Sequence, residues 1–166
     1  RTVLSKFVIA GEMPPDEVPP LRDEGFYSEQ RIERIHSDVM GLDAPIRALR
    51  LADGQSLNYD AAVIATGGIP KSLSLPGADL PQVFVLRSKV QAQQILTTAK
   101  PGQRAVIFGD SFIALESASS LRQYGLDVTV LARHAIPFEA HFGEAVGKAI
   151  RALHEANGVV FHTDGE

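Results

Sequence analysis

The run Arg104–Glu116, RAVIFGDSFIALE, holds residue types and spacings suited to binding a phosphate. A short apolar stretch, Arg104–Phe108, meets Gly109, and a helical pattern starts at once. That strand–turn–helix layout suits a dinucleotide. Gly109 permits the tight turn, the small Ser111 lets backbone approach a pyrophosphate, and Ala114 lets the helix pack close to the strand. Asp110, Phe112 and Ile113 complete the turn and the helix start, whose unpaired N–H groups and positive dipole end face the phosphates. The pattern is G-x-S-x-x-A in place of three glycines, and it gains weight from a strand, a helix and a second strand at the expected spacing. A carboxylate at Asp110 repels a pyrophosphate unless its side chain turns away or caps the helix.

The second strand is expected over Val128–Ala132. A dinucleotide site that takes a ribose 2′-hydroxyl carries Asp or Glu near the end of this strand. Here the position is Ala132, and a basic pair, Arg133–His134, follows. Asp127 stands at the wrong end of the strand. An Arg fork suits a 2′-phosphate, whereas a charged pair in a loop is otherwise an ordinary solvated turn.

These residues need elements to position them. The second half of the chain alternates strand and helix: Val83–Leu86, a helix over Lys89–Ala99, Arg104–Phe108, a helix over Ser111–Tyr124 closed by Gly125, Val128–Ala132, a helix over Glu144–Ala156, and Val159–Phe161. The Glu144–Ala156 helix is amphipathic, with Val146, Ala149, Ile150 and Leu153 on one stripe. This alternation predicts an α/β fold with a doubly wound parallel sheet. The first half predicts a surface loop at the Pro-rich 13–20 stretch, MPPDEVPP, and a short helix within Leu21–Glu33. A hairpin is expected from Ile46–Leu51 and Ser56–Tyr59 around Asp53-Gly54, followed by a buried strand over Ala61–Gly67. The boundary between a β-rich piece and the alternating piece falls after residue 73.

Composition narrows the classes. The chain has 166 residues, 45% hydrophobic and 22% charged, with a net charge of −4, so neither nucleic acid nor an anionic membrane is an expected partner. No apolar stretch approaches the roughly 20 residues that span a bilayer. Cysteine is absent, which removes disulfides, thiolate nucleophiles and cysteine-ligated metals from this stretch. The five histidines form no compact pair with a carboxylate at metal-ligand spacing, and no metal site is expected. The chain opens on Arg1 and closes on Asp164-Gly165-Glu166 directly after an apparent strand, which reads as an internal piece of a larger, cytoplasmic protein.

The order Leu4-Ser5-Lys6, then Tyr59–Gly68 (YDAAVIATGG), then Gly109–Glu116 (GDSFIALE) resembles the flavin- and nicotinamide-dependent disulfide oxidoreductase superfamily. Its ferredoxin-reductase and apoptosis-inducing-factor-like branch, with members that carry a Rieske domain, is most similar. The resemblance implies residues 1–73 as a partial FAD-binding domain and 74–166 as the start of a Rossmann-like NAD(P)H-binding domain. It implies that Lys6 lies by the flavin ring, that Glu116 pairs with Lys6, and that Thr66 and Gly67 pass beside FAD. By type alone, Lys6 is an ordinary surface lysine, Glu116 a solvated helix residue and Gly67 a strand-ending glycine. Arg133 and His134 resemble the basic pair of NADPH-preferring members, so NADP is the expected nucleotide and NAD the second choice. The implied activity is hydride transfer from NAD(P)H to FAD, with electrons passed to a ferredoxin or a fused Rieske centre. The alternative is a nucleotide-binding or sensing flavoprotein module of the apoptosis-inducing-factor type with little turnover. The isolated piece is expected to be inactive.

Overall fold

In a computed structural model, which describes residues 2–163, the chain divides into two compact units. One unit comprises Pro19–Ile69; the other unites the described residues of 1–18 with those from Pro70 onward. The second unit thus draws in the first segment, which the linear boundary at residue 73 sets with the β-rich piece. The physical reason lies in the sequence of that segment. Leu4, Val8 and Ile9 are buried and join the core formed by Leu115, Ala118 and Leu121.

The Pro19–Ile69 unit holds a short helix, α1 (Glu24–Glu29), capped by Asp23, whose carboxylate accepts from Phe26 N. It also holds an antiparallel sheet of β1 (Val39–Asp43), β2 (Ala48–Leu51) and β3 (Ser56–Asn58) in that order. The expected hairpin is β2–β3. The expected strand over Ala61–Gly67 does not form. Val63 and Ile64 are 92% and 77% exposed, and no backbone hydrogen bond joins residues 61–70 to another segment among the described residues. An apolar run becomes a buried strand only where a neighbouring strand offers a ladder, and none does here.

In the other unit, Leu4–Val8 forms a π-helical turn, closed by a bond from Ile9 N to Leu4 O. A single 3₁₀ turn, Pro15–Glu17, interrupts the Pro-rich loop. Then come α2 (Lys89–Thr98), β4 (Arg104–Phe108), α3 (Phe112–Gln123), β5 (Asp127–Leu131), α4 (Glu139–Phe142), α5 (Glu144–Ala156) and β6 (Val160–His162). The strands β4, β5 and β6 form a parallel sheet in that order, with Ile107 opposite Val130 and Val130 opposite Phe161. The α/β class with a parallel nucleotide-type sheet is therefore the one expected. Val83–Leu86, expected as a further strand, is irregular, and Val83 and Val85 stay exposed.

Local signals explain most boundaries. Ser88 caps α2 reciprocally: its hydroxyl accepts from Gln91 N, and Gln91 Oε1 accepts from Ser88 N and Arg87 N. Beyond α3, Gly125 adopts φ +102°, and Leu126 N donates to Leu121 O while Gly125 N donates to Arg122 O, satisfying the last carbonyls. The helix α5 departs from its expected apolar stripe. Val146 and Leu153 are exposed, Ile150 is half-buried, and the buried residue is Gly147, where the helix meets Ile136 and Pro137. No helix among the described residues is long and apolar enough to cross a membrane.

Candidate functional site

The helix α3 carries the site, and its two ends of chemistry are four residues apart. At the N-terminus, Gly109 follows β4 with φ +104°, a conformation that L side chains rarely adopt. A Cβ built there meets nothing within 4 Å, so the turn faces open space. Ser111 is the N-cap, its hydroxyl accepting weakly from Ala114 N at 3.4 Å. Ala114 is buried against the strand side, as close helix–strand packing needs. The N–H groups of Phe112 and Ile113 lie in the first turn, where no intrahelical acceptor exists.

Asp110 resolves the repulsion its type suggests. Its side chain turns toward the end of β5, where Oδ2 accepts from His134 N at 3.2 Å and lies 2.9 Å from His134 Nδ1. Ala132 is buried just past β5, and Arg133 is exposed beside it. A dinucleotide pyrophosphate fits this turn. The glycine leaves the space a phosphate needs, the first-turn N–H groups supply donors, and the one carboxylate is bound elsewhere.

One turn along α3, Glu116 faces the π-helical turn. Its Oε1 lies 3.5 Å from Lys6 Nζ, and its Oε2 accepts from the Ser5 hydroxyl at 2.6 Å. Ser5 is only 1% exposed. From the next turn of α3, the buried Ser120 hydroxyl contacts both Ser5 O (2.7 Å) and Lys6 O (3.0 Å). A π-helical turn leaves carbonyls with irregular partners, and Ser120 supplies one. So Lys6 and Glu116, expected as a pair, do meet. Ser5 and Ser120 were not among the expected site residues. The only sequence signal for either is that Ser5 stands inside the Leu4-Ser5-Lys6 motif.

Lys6, Phe112, Glu116 and Phe138 line an open cleft of about 470 Å³. Phe112 stacks on Phe138 at 4.3 Å between ring centroids, and Phe142 packs edge-on against both. Phe138 holds φ +60°, a strained conformation for a bulky residue that the packing of its ring maintains. Phe112 therefore enters the site through this aromatic cluster as well as through its backbone. Thr66 and Gly67 lie in the irregular, exposed end of the Pro19–Ile69 unit, where Gly67 has φ +75°. Among the described residues, no three His, Cys, Asp or Glu side chains gather to hold a metal ion.

The family model described as Pyridine nucleotide-disulphide oxidoreductase matches residues 1–166. The benzene 1,2-dioxygenase system ferredoxin–NAD(+) reductase subunit of Pseudomonas putida is 36% identical over 160 residues, covering 96% of this chain and 38% of that protein. Apoptosis-inducing factor 3 of Mus musculus is 31% identical over 147 residues, covering 88% of this chain and 24% of that protein. Among solved structures, the covalent putidaredoxin reductase–putidaredoxin complex superposes with a TM-score of 0.84 at 29% identity, covering 98% of this chain and 40% of that one. The chain thus spans well under half the length of these relatives.

Proposed function

Because the chain belongs to the pyridine nucleotide-disulphide oxidoreductase family, we propose that it forms the part of a flavoprotein oxidoreductase where NAD(P)H meets FAD. FAD, when bound, would supply the redox chemistry that links hydride donation by NAD(P)H to electron delivery onward to an iron–sulfur protein such as a ferredoxin or a fused Rieske domain. The observation that carries this reading is the ion pair between Lys6, from the π-helical turn, and Glu116, on the helix that begins at the phosphate-type turn. In this reading residues 1–73 belong to the FAD-binding part and 74–166 to the nicotinamide-binding part.

Each residue has a share. Gly109, Ser111 and the first-turn N–H groups of Phe112, Ile113 and Ala114 hold the pyrophosphate. Lys6 presents a cation to the flavin, Glu116 holds that cation in place, and Ser5 holds Glu116. Thr66 and Gly67 are assigned to FAD contact, and the positive φ of Gly67 supports close backbone approach. The likeness to the P. putida ferredoxin–NAD(+) reductase subunit supports a ferredoxin-type acceptor. A cysteine-free stretch and a redox cofactor suit a cytoplasmic setting.

The test is stopped-flow reduction of the full-length, FAD-loaded protein. Lys6→Met and Glu116→Gln are expected to slow flavin reduction by NAD(P)H about 10-fold while leaving nucleotide affinity near the wild-type value. Unchanged reduction rates in both variants would remove the pair from the chemistry. Rapid onward reduction of an iron–sulfur acceptor supports the reductase reading. Sluggish turnover with a long-lived reduced flavin favours the apoptosis-inducing-factor-type module.

A further inference from the structure

We propose that Asp110 selects the nicotinamide nucleotide, accepting a ribose 2′-hydroxyl and rejecting a 2′-phosphate, so that the site prefers NADH. This inference rests on the reading of Gly109–Ala114 as a nicotinamide-nucleotide turn. In such a fold the adenosine ribose lies beyond the carboxyl end of the second strand, here β5, where an acid usually takes its hydroxyl. That position is Ala132, which is apolar and buried. The missing carboxylate arrives from a different element.

Asp110 leaves the β4–α3 turn and reaches the segment after β5, held there through Oδ2 by the backbone N–H and ring of His134. Its side chain is only 17% exposed, so two contacts at one oxygen fix its direction. The other oxygen, Oδ1, accepts no hydrogen bond among the described residues, which leaves it able to accept from a hydroxyl. The same contacts change the meaning of the basic pair. His134 has its backbone N–H and Nδ1 engaged by a carboxylate, so it offers an incoming phosphate a neighbouring negative charge. Of the pair, Arg133 has no acidic partner among the described residues, and it has to compete with that charge. The NADPH preference expected from Arg133–His134 treats the pair as two cations; the fold makes it one cation beside a histidine that faces a carboxylate.

The experiment is calorimetric titration of the full-length, FAD-loaded protein with NAD⁺ and, separately, NADP⁺, repeated for Asp110→Asn and Asp110→Ser. The wild-type protein is expected to favour NAD⁺ by about 10-fold, and both variants to raise NADP⁺ affinity about 10-fold while weakening NAD⁺ several-fold. Asn keeps the shape and can still accept from His134 N, so a loss of fold is separable from a loss of charge. Tighter binding of NADP⁺ to the wild-type protein would overturn the proposal. So would an affinity ratio unchanged in both variants. Binding of neither nucleotide to the wild-type protein would instead overturn the nucleotide-site reading, and the proposal with it.

Discussion

Ser5 shows how a single residue can hold a site together. Its hydroxyl donates at 2.6 Å to Glu116, itself paired with Lys6, while its carbonyl accepts from Ser120. Removing a buried donor to a charged acceptor leaves that acceptor short of a partner. Ser5→Ala is therefore expected to cost about 1.5–3 kcal/mol of unfolding free energy, read by urea denaturation. A change below about 0.5 kcal/mol would mean that water replaces the hydroxyl without loss. The sequence made Lys6 and Glu116 legible because they stand in motifs, whereas Ser5 shares the Leu4-Ser5-Lys6 motif without being marked as a site residue and Ser120 carried no signal. Both act through a π-helical turn, and no periodicity announces an i→i+5 bond. Asp110 was legible as a difficulty at the turn, and its answer, His134, lies across a parallel sheet where spacing cannot pair them.

At the scale of elements, the boundaries marked by chemistry were the readable ones. Ser88, Ser111 and Gly125 delimit α2 and α3 as caps should, and the β4–α3–β5 unit follows its motif. The errors fall where pairing or burial comes from elsewhere in the chain, as in Ala61–Gly67 and Val83–Leu86. The stripe on α5 misleads for a different reason: the helix packs through Gly147, whose lack of a side chain admits the Ile136–Pro137 segment. A Cβ at Gly147 would lie 2.4 Å from Ile136 Cγ2 and 2.5 Å from Pro137 O. Because backbone must move, Gly147→Ala should destabilise by about 2 kcal/mol despite its better helix propensity. Thermal denaturation decides the point, and a stabilised variant would show that α5 does not dock as described.

The parallel sheet pairs a well-packed face with an open one. Val130 of β5 is fully buried beneath α3, whereas Val106 and Phe108 of β4 are 54% and 50% exposed on the other face of the same sheet. Val130→Ala should therefore cost about 2 kcal/mol, and Val106→Ala less than about 0.5 kcal/mol. Equal losses would mean that both faces are packed in solution. Hydrogen exchange should follow the same division. Amides of β5 should be protected by their ladders on both sides, and those of residues 61–70, without backbone partners, should exchange near unprotected rates. Protection across 61–70 would restore the strand that the apolar run predicts.

The most direct measurement is an amide NMR titration of the chain with NAD⁺. Shifts should concentrate at Gly109–Ala114 and extend to Ala132–His134, with Asp110 and His134 moving together because one carboxylate joins them. Shifts confined to other segments, or none at saturating nucleotide, would contradict a nicotinamide site at the β4–α3 turn.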